Sequence, residues 1–360
     1  LDASGGTDGD VATVLYGVTG ATLGTTAATN VIKVEDGAAP DVRDASLAAT
    51  SLTLKMTEKL ATTTATTGFT AYLNGDDTTN LVSSVATTDN QLKVNFGSSL
   101  SAGDWVLFNY TGSQVADLNS NAWSFASDGA AIAYSGDTTI DLSGTSANYE
   151  LIDLSGGNGT LTGGSGDNYM EGNDGDDVLS GNDGSDNMEG GDGNDTIIGG
   201  SGDDDLLGGA GADNLTGGTG SDTFEFDQGD STSVVFADYG ATGLNTGDTF
   251  TFTDGTADVI TDFSDSGDTI ELNSSNGFQT ETTSFSGTVD DQKYALVRGD
   301  YNETTHVFTV DTAAGTDTLL VYDGNEATGS SNVTQTAVVL IGVTDPSSIN
   351  DSGYGSLVAA

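Results

Sequence analysis

The chain has 360 residues, 55 of them acidic against 7 basic, for a formal net charge of −48. A face that grips phosphate needs lysine and arginine, so nucleic acids and anionic membranes are excluded as partners. Cysteine is absent, which excludes disulfides, and no apolar run approaches the ~18 residues of a membrane-spanning helix.

Hydrophobic content of 35% with 2 prolines suits folded β structure, and the length allows two or three domains. Adaptation to salty surroundings accounts for part of the charge. The chain starts at Leu1 without Met or a cleavable signal pattern, which points to a processed or excised piece.

Residues 1–37 form a first segment: a Gly/Asp-rich tail, then VATVLYGVTG and NVIKV between Val11 and Val34, which read as two strands. The run DGAAP, ending at Pro40, marks a boundary. Residues 38–134 keep a strand-and-turn rhythm. Strands are expected at Ser51–Thr57, Gly68–Leu73, Leu81–Ala86, Gln91–Phe96 and Asp104–Thr111, with Leu52, Leu54 and Met56 on one face. Turn signals at 74–77, 88–90 and 101–104 separate them at sandwich-like intervals, so an immunoglobulin-like β-sandwich is expected.

The stretches TSLTLKMTEKL, GFTAYLNG, LKVNF, SAGDWVLFNYTG and VADLNSNAWSF resemble the repeat domain of cyanobacterial swimming-motility and other large bacterial surface proteins. That resemblance implies a non-catalytic spacer or adhesive module. The family's Asp-x-x-Gly-Asn turn stands here as Asp117-Leu-Asn-Ser-Asn121, without its glycine. Asp117, Asn119, Asn121 and Asp128 loosely echo EF-hand spacing, but Ala122 sits where the sharp turn wants glycine, which favours a solvated loop.

Residues 135–226 form the third segment. From 135 to 162 a nine-residue register is weak: Ile152 and Leu161 fall at an inward position and Gly159 at a ligand position, as expected of capping coils. From Gly163 to Phe224 it is strict, reading GGSGDNYME, GNDGDDVLS, GNDGSDNME, GGDGNDTII, GGSGDDDLL, GGAGADNLT, GGTGSDTFE. Positions one and four are always glycine. Position six is Asn168, Asp177, Asp186, Asp195, Asp204, Asp213 and Asp222; position eight is Met170, Leu179, Met188, Ile197, Leu206, Leu215 and Phe224. The pattern predicts a six-residue turn and a three-residue strand whose middle side chain faces inward. Turns should alternate between two sides, so that repeats n and n+2 stack about 4.8 Å apart.

Carboxylates and loop carbonyls then converge between stacked turns. An all-oxygen set of flexible geometry suits calcium better than magnesium or zinc, and the stacked pairs predict roughly five interior ions. Residues 163–222 hold fifteen acidic groups and no basic one. One apolar side chain per nine residues offsets little of an ordering cost of about 1–2 kcal/mol per residue, so metal binding and folding should be one event. These nonapeptides resemble the calcium-binding parallel β-roll repeats of RTX (repeats-in-toxin) proteins.

Residues 227–360 complete the chain as a β cap. TFEF, SVVF, DTFTFT, TLLVYDG and AVVLIGVTD read as longer strands. With the repeats, Asp258-Val-Ile-Thr-Asp262-Phe-Ser-Asp265-Ser-Gly-Asp268-Thr-Ile-Glu-Leu272 resembles the closing segment of serralysin-type and other type I secreted RTX proteins. That resemblance implies an extracellular or cell-surface protein whose last stretch, GYGSLVAA, is an uncleaved export signal. The expected fold is all-β: an immunoglobulin-like sandwich, a calcium-bound parallel β-roll and a sandwich-like C-terminal cap.

Serralysins carry a His-Glu-x-x-His zinc site, whereas this chain has the single histidine His306, in the strand-like THVFTV. No Gly-x-Ser-x-Gly elbow and no cysteine nucleophile is present, so no catalytic residue is assigned and the chain is not read as an enzyme. The leading expectation is a secreted, calcium-folded structural or adhesive protein; its two first strands either dock within their own chain, the favoured reading, or pair with a further copy of the chain in a filament or surface layer. The alternatives are the export half of a larger enzyme, or an enzyme acting through an unrecognised acidic site.

Overall fold

The computed structural model describes residues 42–56, 59–75, 78–111, 115–116, 129–133, 136–153, 156–226, 233–235, 246–252, 257–263, 267–272, 280–281, 293–322, 334–353 and 356–359. They fall into two compact units, one reaching to Gly129 and one running from Ala130, with Ala102–Trp105 grouped with the second. The strands expected between residues 11 and 34, the corner Asp117, Asn119, Asn121 and Asp128, and Asp265 lie outside the described residues.

In the first unit, Val42–Ala48, Ser51–Met56, Gln91–Phe96 and Val82–Thr88 form an antiparallel sheet in that order. Alternation turns Leu52, Leu54 and Met56 inward, as the sequence predicts, and likewise Leu92, Val94 and Phe96. Phe69–Leu73 pairs antiparallel with Trp105–Tyr110, where the Phe69 and Tyr110 rings lie 4.3 Å apart. Val42–Ala48 is an addition to the expected strands. Its sequence, VRDASLA, has no clear alternation; a two-residue turn at Ala49 and Thr50 pairs it with Ser51–Met56.

In the second unit each repeat adds one parallel strand, and pairing runs from each residue to the one eighteen further on. One sheet stacks Tyr169–Asp174, Asn187–Asp192, Asp205–Ala210 and Thr223–Phe226; the other stacks Val178–Asp183, Thr196–Ser201 and Asn214–Thr219. The result is a parallel β-solenoid. Position eight fills its interior: Met170, Met188, Leu206 and Phe224 stack in one file, and Leu179, Ile197 and Leu215 in the other, all buried.

The strands are longer than the nonapeptide suggests. Each runs six residues, over positions seven to nine and on through positions one to three, which leaves a turn of only three. Positions two and three rejoin the ladder because position two takes a positive φ and swings the chain back into register: Asn173 at 67°, Asn182 at 76°, then Gly191 and Gly200. Asparagine tolerates that conformation, so it can replace glycine there, as at Asn173 and Asn182.

The capping coils continue both sheets. Thr139–Asp141 pairs with Thr160–Thr162, which pairs with Val178–Asp183, and Leu161 is inward as expected. On the other sheet the inward residue is Leu151, not Ile152: Leu151 pairs with Met170 at a spacing of nineteen because this coil holds one extra residue.

At the far end, Asp258–Ile260 lies parallel to Asn214–Thr219 on one side and to Thr334–Leu340 on the other. It joins the solenoid to an antiparallel sheet of Thr334–Leu340, Asp317–Tyr322, Lys293–Asn302, Val307–Val310 and Thr249–Phe252. Phe250, Phe308, Val310, Leu319, Val321 and Val339 form its core. Thr269–Leu272 extends the solenoid sheet that contains Thr223–Phe226 and pairs on its other side with Ser356–Ala359.

Candidate metal centre

Position six ends the three-residue turn, where its side chain is directed into the coil. Asn168, Asp177, Asp186, Asp195, Asp204, Asp213 and Asp222 are all buried there. Each uses its backbone N–H to reach the carboxylate two repeats on. Asn168 donates to Asp186 Oδ1 at 2.7 Å, Asp177 to Asp195 at 2.7 Å, Asp186 to Asp204 at 2.8 Å, Asp195 to Asp213 at 2.8 Å and Asp204 to Asp222 at 3.0 Å. Two columns of carboxylates result, one on each side of the roll. The seven residues that the sequence singles out are thus brought together in register.

One oxygen of each carboxylate is satisfied in this way. The other, Oδ2, is buried without a hydrogen-bond partner in Asp177, Asp186, Asp195 and Asp204. An ionised oxygen left so is expensive unless a cation meets it. The space it faces is defined by the position-one glycines. A Cβ on Gly172 would lie 2.5 Å from both Asp177 Oδ2 and the carbonyl oxygen of Gly190. Calcium–oxygen distances are roughly 2.3–2.6 Å, so the glycine keeps open a cradle of fitting size, lined by hard oxygen donors.

Among the described residues no three His, Cys, Asp or Glu side chains converge as a metal-holding group. The oxygens shown around the Gly172 space come from a carboxylate and a backbone carbonyl, a lining that suits calcium better than a nitrogen- or sulfur-seeking metal. Desolvation, reinforced by repulsion from nearby carboxylates, pushes the carboxyls of Asp177 and Asp186 up to about 7 and those of Asp195, Asp204 and Asp222 up to about 6. Hydrogen bonds from the backbone of Gly159, Asn168, Asp177, Asp186 and Asp204 oppose the rise. Ionising these carboxyls in the folded coil is therefore costly unless a cation offsets the charge.

Both columns run past the repeats. Asp213 donates to Asp258 Oδ1 at 3.0 Å and Asp222 to Asp268 Oδ1 at 3.2 Å, and both acceptors are buried. Neither is among the predicted ligands, although Asp258-Val-Ile260 and Asp268-Thr-Ile270 repeat the Asp-x-apolar spacing of positions six and eight. Asp262 serves the end of the coil differently, accepting from the N–H groups of Gly217 at 3.0 Å and Gly218 at 2.8 Å.

His306 stands in the turn before Val307–Val310 at φ 51°, its Nδ1 3.2 Å from the Tyr301 hydroxyl. It lines a cleft of about 240 Å³ with Tyr301, Glu303 and Asn214.

The fold and the columns define a parallel β-roll built to enclose hard cations. Residues 154–188, 180–215, 189–224 and 198–232 match the RTX calcium-binding nonapeptide repeat, in four copies. The matched stretch covers the roll and stops short of Asp258 and Asp268. No curated protein matches the chain.

Proposed function

We propose that the chain is a secreted, calcium-binding structural or adhesive surface protein, exported by type I secretion and folded by calcium outside the cell. The observation that carries this reading is the double column of buried carboxylates with unpartnered oxygens, in a coil with fifteen acidic residues and no basic one. Such a coil stays folded at neutral pH when cations fill it. Calcium inside cells is far below, and outside well above, the roughly 10^-4–10^-3 M affinities of extracellular calcium modules. The chain thus travels unfolded and folds on arrival.

The immunoglobulin-like reading of residues 38–134 makes that part a spacer, and the role is non-catalytic. The strands read between Val11 and Val34 are surplus to it and suit donation to the sheet edge of a next copy. Such head-to-tail contacts need not close, so they build a filament.

Calcium titrated into the chelated chain tests the core of this reading: β-type circular dichroism should rise cooperatively. A full β spectrum in excess chelator overturns it. Sedimentation in millimolar calcium of residues 1–360 against a chain starting at Ala38 tests assembly; if both are monomers, strand donation is wrong.

A further inference from the structure

The N-terminal end of one column looks incomplete. Counting back eighteen from Asp177 reaches Gly159, whose N–H donates to Asp177 Oδ1 at 2.5 Å as each position-six residue does to the next. Gly159 therefore occupies the position-six slot but brings no carboxylate. The other column begins differently, with Asn168, whose amide oxygen accepts from Gly164 N–H at 2.9 Å.

Asp153, in this coil, is fully buried. The pairing of Leu151 with Met170 and Ile152 with Glu171 sets Asp153 opposite Gly172, a position-one glycine. Position one is the inward site that the repeats keep free of side chains, because a Cβ there meets the position-six carboxylate and a carbonyl oxygen. The capping coil inverts the pattern, with the side chain at the inward strand position and glycine in the turn. The two fit one another: a Cβ on Gly159 would lie 2.5 Å from Asp153 Oδ2 and 3.1 Å from Asp177 Oδ1. The Asp153 and Asp177 carboxylates thus flank one space, and the unpartnered, buried Oδ2 of Asp177 belongs to the same column.

We propose that Asp153 supplies to the first site of this column the carboxylate that Gly159 lacks, so that Asp153, Asp177 and neighbouring carbonyls hold a divalent cation of the calcium type. The proposal rests on the calcium reading of the roll. It makes the capping coil a ligand donor as well as a lid, and ties closure of the open end to the same ion that orders the repeats. Exchanging the two residues should be neutral, because Asp153→Gly with Gly159→Asp recreates the arrangement of the inner repeats. Gly159 has no positive φ to forbid the substitution.

The test is calcium stoichiometry on the full chain, by equilibrium dialysis after chelation, read together with circular dichroism. Asp153→Asn should bind one ion fewer than the parent and need more calcium to fold, while Asp174→Asn, an exposed carboxylate one coil on, should bind the parental number. The double exchange should restore the parental count. Equal stoichiometry and midpoint for Asp153→Asn and the parent overturn the proposal and leave the calcium reading intact. A parental chain that binds no calcium overturns both. Should Asp153→Asn not fold, the double exchange decides: a full count supports the proposal, and a count one short refutes it.

Discussion

The backbone N–H of Asp177 donates to Oδ1 of Asp195 at 2.7 Å, across eighteen residues. The bond joins a turn to the turn stacked on it, so Asp195 both carries a carboxylate and fixes the spacing of its column. Asp192 lies three residues earlier, at the end of the preceding strand, with its side chain exposed, and its carbonyl oxygen accepts from Gly175 N–H at 2.8 Å. Charge is the same at both positions; only Asp195 is placed to ligate. Asp195→Ala should therefore raise the calcium midpoint of folding several-fold, and Asp192→Ala should leave it near the parental value. Equal shifts would mean that bulk charge governs folding.

Protons should compete with calcium. Desolvation raises Asp177 and Asp186 from 3.8 to about 7, and Asp195, Asp204 and Asp222 to about 6, in the metal-free fold. A carboxyl raised on folding stabilises the folded state fully below its unfolded value, and that contribution vanishes as pH rises through 6 to 7. In chelator, then, the roll should gain structure on acidification from pH 8 towards pH 4. With calcium present the same protons lower the affinity, and binding near pH 6 should release protons. Calorimetry in buffers of different ionisation enthalpy measures that release, and a buffer-independent heat at pH 6 would contradict it.

The nine-residue period makes positions six and eight legible from sequence, since any residue that must face inward at every coil recurs at that spacing. Legibility ends where the period slips. Leu151 is displaced by one residue from the expected Ile152, because the capping coil is one residue longer and its spacing to Met170 is nineteen. Asp258 and Asp268 keep the local Asp-x-Ile signature but stand 45 and 46 residues from their partners. The six-residue turn fails for a different reason. Glycine suggests turn wherever it is dense, yet positions one to three are strand, and their glycines answer to close packing and to a single positive φ. The asparagines Asn173 and Asn182 at position two were the available clue.

Gly193 is expected to be irreplaceable. It holds φ 147°, and a Cβ there would overlap the carbonyl oxygen of Gly175 in the coil beneath. Backbone strain alone costs about 1–3 kcal/mol, and the clash cannot relax without opening the stack. Gly193→Ala should lower the thermal midpoint of the calcium-loaded roll and raise the calcium needed to fold it. Gly144→Ala is the control: no atom lies within 4 Å of its would-be Cβ, and its midpoint should hardly move.

Asp258 and Asp268 should each hold one calcium ion beyond the repeats. Stacked position-six residues enclose five gaps within the nonapeptides, from Asn168 and Asp186 to Asp204 and Asp222. The bonds from Asp213 to Asp258 and from Asp222 to Asp268 add two more, one per column, with the same geometry. The Asp258 site also ties the roll to the C-terminal sheet, because Asp258–Ile260 pairs with both Asn214–Thr219 and Thr334–Leu340. Asparagine at 258 and 268 keeps an oxygen for the backbone bond but removes the charge. Asp258→Asn with Asp268→Asn should thus bind two fewer ions than the parent while the inner five still fill. It should also require more calcium to protect the amides of Leu319–Tyr322 from hydrogen exchange, since the strand beside them is anchored through Asp258. An unchanged ion count in the double variant would show that the columns end with the repeats at Asp213 and Asp222.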